Sequence, residues 1–337
     1  MTAPTSPPMH TVADLGEREL VARITARLAM PAWVVVGPGD DAAVIEPERG
    51  ALDVLTTDAQ VEGVHFDHRY VPPDAIGHRA LAVNLSDLAA MGATPRAVLL
   101  SLVLPDALDV AIVDGMMDGL LALAAAHNTV VVGGNISRTP GPMMVDVTAI
   151  GSVRPRRLLT RAGARPGDGV YVTGTIGDAS VGWRSLQAAR NPAPQACQEQ
   201  YLRPQPRVRA GMLLGRNRAA SACMDLSDGL ADAVRKVADA SQAGIALDAV
   251  ALPIGDDVRR WHDAQGSDVI DAAIGGGDDY ELLFTVRPAH RGRLRNVLKS
   301  LGGLPVTRIG VVTKERRLTI RAETGERPLP EGFDHFR

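Results

Sequence analysis

The chain has 337 residues, more than one hydrophobic core usually serves, so two domains with a cleft between them are expected. Its 45% hydrophobic and 22% charged residues, net charge of -3 and 3% aromatics argue against a nucleic-acid binder, which needs a basic face and stacking platforms. Cys197 and Cys223 stand far apart without a Cys-x-x-Cys spacing, which excludes a disulfide framework or zinc site and fits a reducing, cytoplasmic setting.

Residues 1–12 contain Pro4, Pro7 and Pro8 and neither a basic flank nor an apolar run, so they read as a flexible tail rather than a signal peptide. No later stretch approaches the ~18 apolar residues of a membrane span. Asp14, Glu17, Leu20, Val21, Ile24 and Leu28 predict one capped amphipathic helix of about 15 residues, which Pro31 ends. Short strands are expected at 33–36, 42–45 and 52–56, followed by a long apolar helix from 73 to 91. A strand at 97–104, a helix at 109–127, a strand at 129–132 and an alternating strand at 143–150 complete the first half. Pro155 and the turn-rich run from Arg161 to Asp168 place the boundary near 153, giving domains over 13–153 and 154–337. In the second half strands are expected at 169–173, 222–224, 244–247, 280–286 and 307–312, with helices between them. Residues 187–200, with Pro192 and Pro194, read as an irregular excursion.

Lysine occurs only at 236, 299 and 314, and no Gly-x-x-x-x-Gly-Lys-Ser/Thr loop is present, which excludes a P-loop nucleotide site. The absence of a Gly-x-Ser-x-Gly elbow argues against a serine hydrolase, and the absence of a His-Arg-Asp loop excludes a protein kinase. Five segments instead set Asp beside Gly, Ser or Thr: Gly39-Asp-Asp41, Thr56-Thr-Asp58, Asn84-Leu-Ser-Asp87, Asp225-Leu-Ser-Asp-Gly229 and Gly276-Gly-Asp-Asp-Tyr280. Any one of them is as well explained by a solvated turn or a helix cap. Asp87 is harder to explain that way, because the helix around it is apolar on nearly every side and a buried carboxylate costs several kcal/mol without a compensating cation or hydrogen bonds. Taken together, five oxygen-rich segments without a matching His or Cys set point to Mg2+.

Glycines supply possible phosphate contacts. Gly133 and Gly134 close a predicted strand before Asn135, and Gly174 to Asp178 joins a strand to a helix, although such turns are also generic α/β connections. His65, one short loop after Asp58, suits either a substrate contact or a surface histidine. Arg161 suits either a nucleotide phosphate or, with Arg154, Arg156 and Arg157, a solvated basic face. The run from Tyr201 to Pro204 and Arg207 reads as structural.

In this order, the segments resemble the thiamine-monophosphate kinase family of the aminoimidazole-ribonucleotide-synthetase superfamily. The resemblance runs from Gly37 to Phe336 and is most specific at Ala82–Ala93, Met224–Leu230 and Gly276–Leu282. It implies a two-domain α/β (α+β) fold, with an N-terminal domain whose strands form an interface barrel in a homodimer and a C-terminal α/β domain. It implies metal ligands at Asp41, Thr56, Thr57, Asp58, Asp87, Asp225 and Asp228, nucleotide contacts at Gly134, Arg161 and Ser227, and thiamine-phosphate contacts at His65, Asp278 and Phe333. Asn135 stands where the family commonly has Asp; its amide oxygen can bind Mg2+ but brings no charge. Asp278 replaces a frequent Glu, and Phe333 a Tyr or Trp.

The implied reaction is in-line phosphoryl transfer from ATP to thiamine monophosphate, assisted by several Mg2+ ions. The acceptor phosphate is already charged near pH 7, its second pKa being about 6, so no catalytic general base is expected. Partners are then ATP and thiamine monophosphate, with neither nucleic acid nor membrane. A purine-pathway cyclo-ligase of the same superfamily is the alternative enzyme, and a non-catalytic nucleotide or thiamine-phosphate binder the alternative of another class. The selenophosphate and hydrogenase-maturation branches are disfavoured, since no cysteine lies near either end.

Overall fold

The computed structural model describes residues 10–188, 194–323 and 325–331. Thr11 is the N-cap of α1 (Val12–Leu15), and the Asp14 carboxylate accepts in return from the Thr11 N–H (3.1 Å). Gly16, at φ 78°, interrupts the chain before α2 (Glu17–Thr25). The single helix expected from Asp14 onward is therefore two, because a residue with positive φ cannot continue a right-handed helix.

β1 (Val34–Val36) and β2 (Val44–Ile45) form an antiparallel pair. Then come β3 (Leu52–Val61), α3 (Pro73–Ala90), β4 (Thr94–Pro105), α4 (Val110–Ala126), β5 (Val130–Thr139) and β6 (Met144–Val153). Their strands form a four-stranded sheet in the order β3-β6-β4-β5, with β4 and β5 parallel. On β4, Val98, Leu100, Leu102 and Leu104 are buried while Leu99 is exposed and Ser101 and Val103 are half-buried, the alternation of a sheet covered more fully on one face. The strand expected to close at Val132 runs on to Thr139, because the register shifts at Val98/Leu99 and admits the glycine pair into the ladder. A Cβ at Gly134 would lie 1.8 Å from the Leu100 carbonyl oxygen, so glycine is required there by the neighbouring strand.

The helices α3 and α4 meet backbone to backbone. A Cβ on Gly77 would sit 1.8 Å from Met116 O, and one on Gly119 would sit 1.8 Å from Asp74 O. Around this crossing α4 buries Val113, Met116, Met117, Leu120 and Ala124, the spacing of one helical face.

The second half contains β7 (Gly169–Thr173), α5 (Asp178–Gln187), α6 (Gln195–Leu202), α7 (Val208–Arg216), β8 (Ala222–Asp225), α8 (Leu230–Ser241), β9 (Gly244–Asp248), α9 (Asp256–Asp263), α10 (Val269–Gly275), β10 (Leu282–Val286), α11 (Arg291–Ser300), β11 (Val306–Thr313), β12 (Leu318–Ala322) and β13 (Gly325–Pro328). Its sheet has the order β13-β12-β9-β11-β7-β10-β8 and is antiparallel except between β9 and β12. Val170, Val172, Ile245, Leu283 and Ile309 on this sheet share a core with Val181 of α5, Leu230, Val234 and Val237 of α8, Val258 of α9 and Ile274 of α10. Phe284 alternates away from Leu283 and stacks on Tyr171, centroids 5.6 Å apart, so β10 is buried on both faces. The excursion expected over 187–200 holds α6, whose Cys197 and Tyr201 are buried; residues 189–193 of it lie outside the described residues. Close approach to α5 makes this possible, since a Cβ on Gly182 would lie 2.1 Å from Cys197 O.

By internal contacts the chain divides into two compact units, one of Met1–Pro47, Thr57–Leu81 and Arg96–Ala149, the other of Glu48–Thr56, Ala82–Pro95 and Ile150–Arg337. Among the described residues no helix is long and apolar enough to cross a membrane.

Gly77→Ala or Gly119→Ala is expected to cost about 2 kcal/mol or more of stability through overpacking against backbone. Gly292→Ala, in open space on α11, is expected to stabilise by about 0.5–1 kcal/mol. Urea titration of the three variants checks both signs. Both cysteines are free and buried, and burial pushes the Cys197 thiol up to about 12 and the Cys223 thiol up as well. A thiol reagent at pH 8 is therefore expected to titrate neither in the native protein and both in urea.

Candidate functional site

The site is built where β8 ends. Its last residue, Asp225, leads into the turn Leu226–Gly229, and this turn is joined by main-chain hydrogen bonds to the turn Gly276–Tyr280 that enters β10. Asp278 N–H donates to Ser227 O (2.8 Å), Tyr280 N–H to Leu226 O (3.1 Å) and Leu226 N–H to Glu281 O (2.8 Å). Gly277 permits the approach, since a Cβ there would lie 2.6 Å from Ser227 O. Two of the five Asp segments are thus one structural unit.

Asp225 is 2% exposed and accepts from Ser86 Oγ (2.8 Å). Burial, and next the charge of Asp87, push its carboxyl up to about 7, while the Ser86 hydrogen bond and the charge of Arg161 act in the opposite direction. Thr56 Oγ1 donates to Asp87 Oδ2. The α3 helix is buried on nearly every side, as expected, and Asp87 is half-buried where it opens. Thr56, Ser86, Asp87, Asp225 and Arg161 are therefore one electrostatic group. A buried carboxyl whose pKa is raised by dryness and by a neighbouring carboxylate, among oxygen donors, fits a hard divalent cation such as Mg2+. Asp228, three residues on, is half-buried and lies 3.1 Å from Lys236 Nζ, which also holds Asp232 at 2.8 Å.

In the first unit Thr57 and Asp58 follow on β3. Strand alternation turns Thr57 away from the Thr56 side, and its Oγ1 lies 3.0 Å from Thr148 Oγ1 and 3.3 Å from Val147 O. Asp58 returns to the Thr56 side. Asp41 is exposed and its N–H donates to Asp40 Oδ1 (2.8 Å). Asn135 is exposed on β5 beside Gly134, and its Nδ2 donates to Ser137 Oγ (2.9 Å). His65 is half-buried; its Nδ1 accepts from the Val61 N–H (3.0 Å), so in the neutral ring Nε2 carries the proton. Arg161 is exposed, as are Arg154, Arg156 and Arg157. Phe333 lies outside the described residues.

The Gly174–Asp178 turn is filled from inside the protein. Asp279, 1% exposed, accepts from the N–H groups of Gly177 (2.9 Å) and Ala179 (3.4 Å), so a carboxylate of the chain occupies the N-terminus of α5 that a phosphate was considered for. Burial holds the Asp279 carboxyl well above its usual range even so. Gly174 is required by Glu281, whose Oε1 would lie 1.9 Å from a Cβ there. Glu281, 1% exposed, accepts from Thr173 Oγ1 (2.5 Å) and pairs with Arg207, whose Nε lies 2.7 Å from Oε2. The structural reading of Arg207 agrees with this ion pair.

Family models for AIR synthase related protein match the chain twice, the N-terminal domain over residues 39–153 and the C-terminal domain over 165–323. A thiamine-monophosphate kinase of Bacillus subtilis is 34% identical over 331 residues, covering 96% of this chain and 100% of that protein. The chain belongs to the thiamine-monophosphate kinase family. Among solved structures of that family, the thiamine-monophosphate kinase of Stenotrophomonas maltophilia matches with a TM-score of 0.79 at 36% identity, over 89% of this chain and 94% of that one. The structure of AaThiL complexed with AMPPCP and TMP matches with a TM-score of 0.76 at 31% identity, over 99% of this chain and 100% of that one.

Within this family frame, three polar side chains in contact with expected site residues were not among the sequence candidates: Ser86 on Asp225, Lys236 on Asp228 and Tyr280, whose hydroxyl donates to Asp278 Oδ1 at 2.9 Å. Ser86 and Tyr280 sit inside the quoted motifs, so their positions were visible and their partners were not. Lys236 carries a usable signal, lying two helical turns after Asp228 on α8 and being one of three lysines in the chain.

Arg207→Ala leaves Glu281 buried without its counter-charge and is expected to cost about 3 kcal/mol or more, measured as a lowered urea midpoint.

Proposed function

We propose that this protein transfers a phosphoryl group from ATP to thiamine monophosphate by in-line displacement, giving thiamine diphosphate and ADP, with Mg2+ held by its carboxylates. The observation that carries this reading is the grouping of Asp87 and Asp225, each oriented by one hydroxyl donor, Thr56 and Ser86, with the buried Asp225 raised in pKa by burial and next by the charge of Asp87. In the second unit Asp87 and Asp225, with Thr56 and Asp228, are the ligands we assign. For Asp41, Thr57, Asp58 and Asn135 the assignment rests on the family resemblance. When bound, Mg2+ supplies positive charge that offsets the repulsion between donor and acceptor phosphates.

The side chains have separable tasks. Ser86 and Thr56 hold the carboxylates by donating hydrogen bonds, which orients the oxygens before any ligand arrives. Arg161, exposed and charged, is assigned to a nucleotide phosphate, with Gly134 and Ser227 as further nucleotide contacts. His65 is assigned to the acceptor through its Nε2–H, and Asp278 to the acceptor's organic part; Phe333 is assigned there on the resemblance alone. No residue is assigned as general base, because the acceptor oxygen is already ionised near pH 7, its second pKa being about 6. We also assign a homodimer, for which the support is apolar surface on the first sheet: Leu55 is 67% exposed and Leu99 37%.

Purified protein with ATP, Mg2+ and thiamine monophosphate should form thiamine diphosphate and ADP in equal amounts, and chelation of the metal should abolish both. ATP turnover only with the aminoimidazole precursor of the purine enzymes would overturn the substrate. Asp87→Asn and Asp225→Asn should each lower kcat/KM by about 100-fold or more while leaving the protein folded by circular dichroism. Asn135→Asp should lower the Mg2+ concentration needed for half-maximal rate; an unchanged requirement would remove Asn135 from the ligand set.

A further inference from the structure

Between the buried Asp279 and the site, the chain does something costly. Asp278 has φ 68° and Tyr280 φ 49°, both positive and neither glycine, whereas Asp279 between them does not have a positive φ. The effect is to separate the two adjacent carboxylates. Asp279 points inward to the N–H groups of α5, whereas Asp278 is half-buried and accepts from the Tyr280 hydroxyl at 2.9 Å.

Tyr280 itself is 5% exposed, so its ring is fixed by packing while its hydroxyl donates to Asp278. Both residues are anchored through main-chain hydrogen bonds to Leu226 and Ser227, the turn that continues Asp225. The main chain of Asp278 is thus fixed by its N–H on Ser227 O, and its carboxylate accepts from the tyrosine hydroxyl.

We propose that Tyr280 is the positioning residue for Asp278, and that the pair selects the positively charged organic end of the acceptor. The inference rests on the phosphoryl-transfer reading above. An anionic carboxylate repels the acceptor's phosphate and attracts a quaternary thiazolium or a ring amine, so the pair acts on the end of the acceptor remote from the transferred group. A phenylalanine would fill the same volume; what it lacks is the donor that stops the Asp278 carboxylate from turning away.

The test is Tyr280→Phe, Asp278→Asn and the double variant, each with a urea midpoint and with KM measured separately for thiamine monophosphate and for ATP. Tyr280→Phe should keep its ring packing, raise KM for thiamine monophosphate about tenfold, leave KM for ATP unchanged and lower kcat less than threefold. The double variant should be no worse than Asp278→Asn alone, because the hydroxyl acts only through the carboxylate. A neutral acceptor, thiamine monophosphate with a thiophene in place of the thiazolium, should show a smaller KM change in both single variants. A KM for thiamine monophosphate within twofold of wild type in Tyr280→Phe, or full additivity in the double variant, overturns the positioning role. Equal KM changes for charged and neutral acceptors overturn the charge selection. Failure of the wild type to turn over ATP with thiamine monophosphate instead removes the functional reading beneath both.

Discussion

The constraint on which the rest of the site depends is the placement of Asp225 in dry surroundings beside Asp87. A carboxylate buried at the end of β8, the edge strand of its sheet, is expensive to ionise, and a second carboxylate nearby raises the expense. The protein offsets this with two hydroxyls, Ser86 on Asp225 and Thr56 on Asp87, and with the charge of Arg161, while burial and mutual repulsion still raise the Asp225 carboxyl. A fold that retains such an arrangement keeps a place in which a small, highly charged cation is worth more than it is in water.

Much of the surrounding structure serves to hold these oxygens still. Asp225 closes β8, and β8 pairs with β10, which is buried on both faces. The turn before β10 is itself braced by Glu281 with Arg207 and Thr173, and by Asp279 on α5. Glu281 has an arginine counter-charge and Asp279 two main-chain N–H donors, whereas Asp87 and Asp225 each accept from a neutral hydroxyl and lie beside one another.

The division between what could and could not be read from sequence follows the same physics. The apolar strand Gly169–Thr173 and the long apolar helix around Asn84 announced themselves through local pattern, and the structure contains both. The apolar spacing from Asp14 onward predicts one helix, and Gly16 divides it in two, because positive φ is a backbone property that no periodicity reports. Gly133 and Gly134 read as a strand terminus, yet they lie inside β5, where the register shifts and the Leu100 carbonyl leaves no room for a side chain at Gly134. The helix at Gln195–Leu202 was hidden by two prolines and a polar composition, and exists because Gly182 lets it lie against α5. In the site, the Asp-rich motifs were legible as candidates, whereas the division of labour between Asp278 and Asp279 depends on which way two consecutive side chains point. That direction is set by backbone angles and tertiary partners.

The straps between the turn after β8 and the turn before β10 use main-chain atoms only. Their geometry is consequently indifferent to most side-chain identities along the turns, provided the glycines remain. Residues at the lip of the site are in that sense interchangeable parts mounted on an invariant bracket. A substitution at such a position changes the chemistry presented at the lip while the main-chain straps between the two turns stay in place.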